Sequence, residues 1–274
     1  MKKIAVIGLG IIGGSICGAL TRAGYTVDGT DLKEKNVAYA MQKSYIANEA
    51  TDISVYDVVF LAVPPRAAIS LLQTENFKNG ALVSDICGIK EEIERAVYSA
   101  PRGYRYVGIH PMAGKETSGI ESASPELFRM ANLVIAISEK TDESALNEIR
   151  EYAKAMRFGK IVECTAAEHD KKIALTSQLA HLVSNAYVKS PEVKGCDGFT
   201  GGSFQDMTRI AGVDERMWTE LYLYNREYIT AELDGLITHL SQYRDAIEKG
   251  NEDALSSALK EGRLIRENIK YRRD

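Results

Sequence analysis

Two rhythms of apolar residues divide the chain. As far as about residue 164, short apolar runs alternate with amphipathic stretches. Residues 4–7, 26–30, 58–63 (VVFLAV), 81–85 (ALVSD), 106–110 (YVGIH), 133–137 (LVIAI) and the pair Ile161-Val162 read as strands. An unbroken run such as VVFLAV fits a strand covered on both faces. Between them, residues 14–22, 34–43, 66–73, 88–98 and 142–156 read as helices. Ser124-Pro125-Glu126 reads as a further helix start, because proline suits the first helical position. This alternation predicts a parallel, doubly wound α/β sheet. From Thr165 the period becomes helical. Thr165-Ala166-Ala167-Glu168 matches a capping box. Long helices are predicted over about 166–188, 214–243 and 254–269, with an irregular glycine-rich piece over 194–202. The predicted organisation is an α/β domain, 1–164, followed by an all-α domain, 165–274.

The first turn of the α/β part carries the first chemical signal. Gly8-Leu9-Gly10-Ile11-Ile12-Gly13 runs on directly from the first strand and opens a small-residue helix, and the second strand ends at Asp31. Strand, glycine turn, helix, strand and acid in this order form a dinucleotide-binding fingerprint of Rossmann type. Gly8 makes the tight turn, Gly10 admits a pyrophosphate against the backbone, and Gly13 lets helix and strand pack closely. The N–H groups of Ile11 and Ile12 then face the phosphates at the helix N-terminus. The Asp31 carboxylate can accept both ribose hydroxyls and repels a 2′-phosphate, which predicts NAD rather than NADP. Met1-Lys2-Lys3 before an apolar run also resembles a signal peptide. The five glycines from Gly8 to Gly18 and the missing small-x-small cleavage site argue against that.

Composition narrows the classes. A chain of 274 residues, 45% hydrophobic, suits two domains. The net charge of −4, with both signs dispersed, argues against nucleic acid as partner. No run approaches the length of a membrane span. Cys17, Cys87, Cys164 and Cys196 are scattered without a CxxC pair and read as reduced thiols of a cytoplasmic protein. The four histidines form no HExxH or Cys/His cluster, so no metal site is expected.

In an open parallel sheet, ligands lie beyond the carboxyl ends of the strands. Asp31, Val63-Pro64, Asp85 and His110 all occupy such ends and are expected to share one crevice. His110 is the candidate base there, since imidazole is tuned for proton transfer near neutral pH. The loop after it, 112–119, reads as a surface loop or a lid. In the helical part, Ser177, His181 and Asn185 recur every four residues as one polar stripe on an otherwise apolar helix, which fits the wall of a cavity. Arg209 could clamp a carboxylate through its planar fork. Trp218 reads as core. Tyr39-x-x-x-Lys43 mimics a dehydrogenase pair, but it sits in the second helix and is a chance match.

Taken in order, these motifs resemble the prephenate dehydrogenases of tyrosine biosynthesis. The resemblance rests on Gly8–Ser15, Leu61-Ala62-Val63-Pro64, Asp85 with Lys90, His110-Pro111-Met112-Ala113-Gly114-Lys115-Glu116-Thr117-Ser118-Gly119, His169-Asp170, Ser177-Gln178-Leu179-Ala180-His181, and Thr208-Arg209-Ile210-Ala211 followed by Trp218. It implies NAD-dependent oxidative decarboxylation of prephenate to 4-hydroxyphenylpyruvate and CO₂. His110 would be the catalytic base, His181, Arg209 and Lys115 would bind substrate, and Glu116 would belong to the gating loop. The helical domain would form a homodimer. Gly88 stands where the family often has serine beside the hydroxyl, and Gln178 and Ala180 replace its usual His and Pro. Three other readings compete with this one. The first is arogenate dehydrogenase. The second is a nucleotide sensor without catalysis, which would need none of His110, His181 and Arg209. The third is a β-hydroxyacid dehydrogenase, for which Lys171 and Lys172 lack the surrounding motif.

Overall fold

A computed structural model describes residues 2–114 and 117–269. Five short strands form a parallel sheet in the order β2-β1-β3-β4-β5: β1 Ile4–Ile7, β2 Val27–Thr30, β3 Val58–Leu61, β4 Leu82–Asp85 and β5 Arg105–Tyr106. Helices α1 Ile11–Arg22, α2 Glu34–Gln42, α3 Pro65–Thr74 and α4 Glu91–Val97 alternate with them. The central strands β3 and β4 are buried along their whole length; the unbroken apolar sequence of β3 requires it, whereas β4 also buries Ser84 and Asp85. One apolar cluster gathers Ile16, Leu20, Phe60 and Phe128. A second gathers Leu61, Leu72, Ile89 and Ile93.

The predicted strand over 106–110 divides in two. β5 ends at Tyr106, and β6, Gly108–Met112, belongs to a separate sheet with β7, Asn132–Ala136, and β8, Lys160–Cys164. The cause lies at Val107 and Gly108. The Ser84 hydroxyl donates to the Val107 carbonyl at 2.6 Å, so a side chain takes the acceptor that a continuing ladder would use. A Cβ at Gly108 would stand 2.8 Å from the Tyr106 hydroxyl and 3.1 Å from Asp85 Oδ2. The chain passes so close to that polar cluster that only glycine fits. His110 therefore lies in the middle of β6, and Pro111 continues the strand instead of ending it.

The second sheet also departs from an all-parallel reading. β6 pairs antiparallel with β7, whereas β7 pairs parallel with β8 across α5, Glu143–Ala155. A parallel return from β6 would need a crossover helix. The helix expected at Pro125 does not form. Leu127, Arg129 and Ala131 instead donate to carbonyls three residues back, and Met130 adopts a φ of +63°.

After β8 the chain is helical. α6, Ala166–Ile173, starts at the predicted capping box, with Thr165 and Glu168 bonding each other's backbone. A π-helical segment, Ala174–Leu179, joins it to α7, Ala180–Tyr187. α8, Gly202–Thr208, lies beyond the irregular piece, and α9 spans Glu215–Tyr224. The single helix expected over 214–243 is interrupted at Asn225, and α10 follows over Arg226–Glu248. By compactness the chain forms two units, Met1–Arg226 and Glu227–Asp274. The smaller unit is a helical hairpin in which Gly250 (φ +59°) turns the chain into α11, Glu252–Asn268, and Asn251 caps it by accepting from the Ala254 N–H. No described helix is long and apolar enough to cross a membrane.

Candidate active site

The glycine turn separates what the protein needs from what a ligand needs. Gly8 has a φ of +93°, and a Cβ there would meet the Ala62 carbonyl oxygen at 2.3 Å. At Gly13 a Cβ would stand 1.9 Å from the Gly8 carbonyl oxygen. Both glycines are dictated by the fold itself. Around Gly10, in contrast, nothing lies within 4 Å of an added Cβ. This open space adjoins the start of α1, which has no side-chain cap and no acidic residue in its first turn. Unclaimed N–H groups and the positive end of the helix dipole suit a phosphate there. Asp31 is drawn to the same turn. Its carboxylate accepts from the Leu9 N–H at 2.7 Å and from the Lys33 N–H at 2.8 Å. A cavity of about 500 Å³ opens beside the strand ends, lined by Ile7, Thr30, Thr51, Asp52, Leu71 and Glu75. Val63 is half-buried and Pro64 exposed at the end of β3. The residues present therefore fit a dinucleotide.

His110 lies at one end of a buried chain of hydrogen bonds. Its Nδ1 is 2.8 Å from His169 Nε2, and His169 Nδ1 is 2.6 Å from Asp170 Oδ1. Asp170 also accepts from the backbone N–H groups of Lys90 (2.8 Å) and Glu91 (2.9 Å), which ties α6 to the start of α4. His169 and Asp170 are only 2% and 1% exposed. A carboxylate only accepts, so His169 carries its proton on Nδ1 and offers a lone pair at Nε2. His110 must then donate from Nδ1, which leaves its own Nε2 as the lone-pair nitrogen. That nitrogen faces Gly88, where an added Cβ would lie 3.8 Å from Nε2 and from Cε1 and 3.4 Å from Leu221 Cδ2. Gly88 thus keeps a gap open against the one ring atom able to take a proton. Burial, then the neighbouring His169 and Lys90, push the imidazole of His110 well below its ordinary value of 6.5. It is held neutral and so able to accept a proton.

Beneath this chain lies a second cluster. Lys90, 1% exposed, forms an ion pair with the fully buried Asp85. The Tyr106 hydroxyl donates to Asp85 Oδ2 at 2.6 Å, and the Cys87 N–H donates to Oδ1 at 2.9 Å. Burial and the Asp85 charge hold the Tyr106 phenol well above its usual range. Asp85 does not face the crevice as a strand-end residue was expected to. Its carboxylate is consumed internally, and removing either partner of such a pair costs roughly 3–5 kcal/mol.

The helical wall brings other expected residues near. His181 donates from Nδ1 to the Ser177 carbonyl (2.9 Å), and its ring lies 4.1 Å from that of Trp218, which in turn neighbours Tyr222. Trp218 belongs to α9, the helix that also places Leu221 beside Gly88. It is a wall residue next to His181 as well as part of the apolar packing. Asn185 donates to the Ala211 carbonyl and Ser184 to the Met207 carbonyl, so the 207–211 segment is strapped to α7. Arg209, exposed at the end of α8, is carried on that strap. Gln178 donates to the Leu221 carbonyl and accepts from Asn225, whose amide also donates to the Asp170 carbonyl. Lys115 and Glu116 lie outside the described residues.

Sequence reasoning passed over His169 and Asp170 as site residues. The signal was present. The capping box sets the helical register, and Ala166, His169, Asp170 and Ile173 form one buried face. A histidine and an acid on a core-facing stripe require partners.

Residues 16–162 match the family model described as the nucleotide-binding domain of prephenate dehydrogenase, and residues 165–261 match its dimerization domain. A prephenate dehydrogenase of Lactococcus lactis subsp. cremoris is 32% identical over 287 residues, spanning 97% of this chain and 77% of that one. The crystal structure of Aquifex aeolicus prephenate dehydrogenase with hydroxyphenyl propionate and NAD+ superposes with a TM-score of 0.84 at 26% identity, covering 98% of this chain and 99% of that one. Synechocystis arogenate dehydrogenase gives 0.77, also at 26%, with 97% and 99% covered. With both domains matched in order across the chain, it belongs to the prephenate dehydrogenase family.

Proposed function

We propose that this protein catalyses the NAD-dependent oxidative decarboxylation of prephenate to 4-hydroxyphenylpyruvate and CO₂, in tyrosine biosynthesis. The observation that carries the reading is His110, neutral, locked in one tautomer, with Nε2 open toward Gly88. The open space at Gly10 and the start of α1 would hold the pyrophosphate of NAD, and Asp31 would take the adenosine ribose. NAD supplies a hydride acceptor when bound. His110 Nε2 takes the proton of the ring hydroxyl as the C4–H electron pair leaves. The electrons of the bond to the ring carboxylate then complete the aromatic ring, and CO₂ departs. The substrate is a dianion and the chain is net negative, so binding needs local cations. Arg209 and Lys115 would fill that role, with His181, on the helix to which the Arg209 segment is strapped, and Glu116 also contacting substrate. Lys115 would favour the pyruvyl chain of prephenate over the ammonium-bearing chain of arogenate.

Functionally, residues 1–164 bind NAD and residues 165–274 complete the substrate site and form a homodimer. Free thiols, with Cys17 and Cys87 buried and held protonated by burial, support a reducing, cytoplasmic setting. The test is NADH formation from NAD with prephenate, arogenate or a small hydroxy acid in turn. A kcat/KM highest for prephenate is expected. A higher value for arogenate would move the reading to that substrate, and turnover of neither would end it.

A further inference from the structure

The hydrogen-bond chain behind His110 does more than orient a ring. We propose that His169 and Asp170 form a proton relay with His110, so that the proton taken from the substrate hydroxyl comes to rest on His169 beside Asp170. The proposal rests on the reading of His110 as the base. As the substrate O–H bond breaks, an N–H bond forms at His110 Nε2. The Nδ1–H bond of His110 breaks in concert, and its proton bonds to His169 Nε2 across the 2.8 Å contact. His169 keeps its Nδ1 proton, directed at Asp170 Oδ1 across 2.6 Å, and becomes an imidazolium paired with a carboxylate. His110 ends neutral as the opposite tautomer. No electrons move in the relay, and the same steps reversed restore it.

Geometry and charge both favour this resting place. Among the described residues, the titratable groups acting on the pair are Lys90 at the start of α4, Asp85 at the end of β4 and Asp170 on α6, with Cys87 and Tyr106 behind Asp85. From α9, Leu221 and Asn225 bring no charge. Two carboxylates and one ammonium leave a net negative charge in a buried region, hydrogen-bonded by the Lys90 and Glu91 N–H groups but not neutralised. A proton on His169 neutralises it, where burial makes unpaired charge costly. A proton left on His110 would instead sit farther from Asp170. Burial and then Lys90 lower His169 below its ordinary value while Asp170 and Asp85 pull it back up; at His110, burial, His169 and Lys90 all push downward.

Histidine-selective ¹⁵N labelling of the full chain, titrated without substrate, tests the relay independently of activity. On acidification, both His169 nitrogens should become protonated, while the proton of His110 moves from Nδ1 to Nε2 at the same midpoint. Protonation of both nitrogens of His110 with His169 still neutral would overturn the proposal. So would proton uptake by neither ring down to the pH at which the protein unfolds. His169→Gln supplies the kinetic arm, because its amide oxygen can accept from His110 Nδ1 but cannot carry a proton onward. Its kcat should fall about 10–100-fold and the acid limb of kcat/KM should shift to lower pH, with NAD affinity unchanged. A fall in kcat with the limb unmoved would reduce His169 to an orienting role and reject the relay. Should prephenate prove not to be a substrate, the NMR titration still decides the relay.

Discussion

The two ring nitrogens of His110 differ, because the hydrogen bond from Nδ1 to His169 leaves Nε2 as the lone-pair atom. His110→Asn should lower kcat by on the order of 10²–10⁴ while NAD binding, measured by fluorescence titration, stays unchanged. Near-normal turnover would remove His110 as base. The glycines can be separated in the same way. Gly10→Ala should leave the melting temperature intact and weaken NAD binding, since the added methyl enters space that the protein itself leaves empty. Gly8→Ala places a methyl against the Ala62 carbonyl at a φ of +93° and should destabilise by at least about 1–3 kcal/mol. Equal effects of the two substitutions on stability would contradict this division of tasks. The glycine turn and His110 were legible as motif residues. Lys90 and Asp85 were visible as residues but not as a buried pair, because burial of charge is decided by neighbours on other strands.

At the scale of elements, α6 joins the capping box to His110. Thr165 starts the helix, and the register it sets aims His169 and Asp170 at β6 and α4. Thr165→Ala should cost about 1 kcal/mol of stability in urea unfolding, and Thr165→Ser almost none. A larger loss in kcat than this implies would show that the cap also sets the position of His169. The same elements create a pH dependence of stability. His110 and His169 have folded-state values below their ordinary 6.5, so the unfolded chain binds protons more readily. Stability is complete above that value and is lost as pH falls through and below it. The urea midpoint should therefore drop between pH 7.5 and 5.5, and should drop less in the His110→Asn variant. A midpoint that rises on acidification would refute the assignment of a neutral, buried pair.

At the scale of the whole molecule, the helical hairpin of residues 227–268 leaves apolar residues uncovered. Ile237, Leu240, Ile247, Leu259 and Ile265 are each more than half exposed. Large exposed apolar patches mark interaction surfaces, which agrees with the match of residues 165–261 to a dimerization domain. Sedimentation velocity should give a dimer for the wild-type chain, and Leu240→Asp with Ile265→Asp should shift it to monomer. A dimer that survives both substitutions would place the interface elsewhere.

By itself, the pattern along the chain determined the βα alternation, the cofactor cradle, the switch to helix at Thr165 and the candidate base. Each of these depends on residues a few positions apart, joined by strand or helix period, turn sterics or capping bonds. Tertiary structure decided what depends on distant segments meeting. It split the strand at Val107 because Gly108 passes the Asp85–Tyr106 cluster, and it turned β7 antiparallel because no crossover helix forms. It set His169 against His110, 59 residues apart along the chain, where hydrogen bonding settles which nitrogen carries the proton.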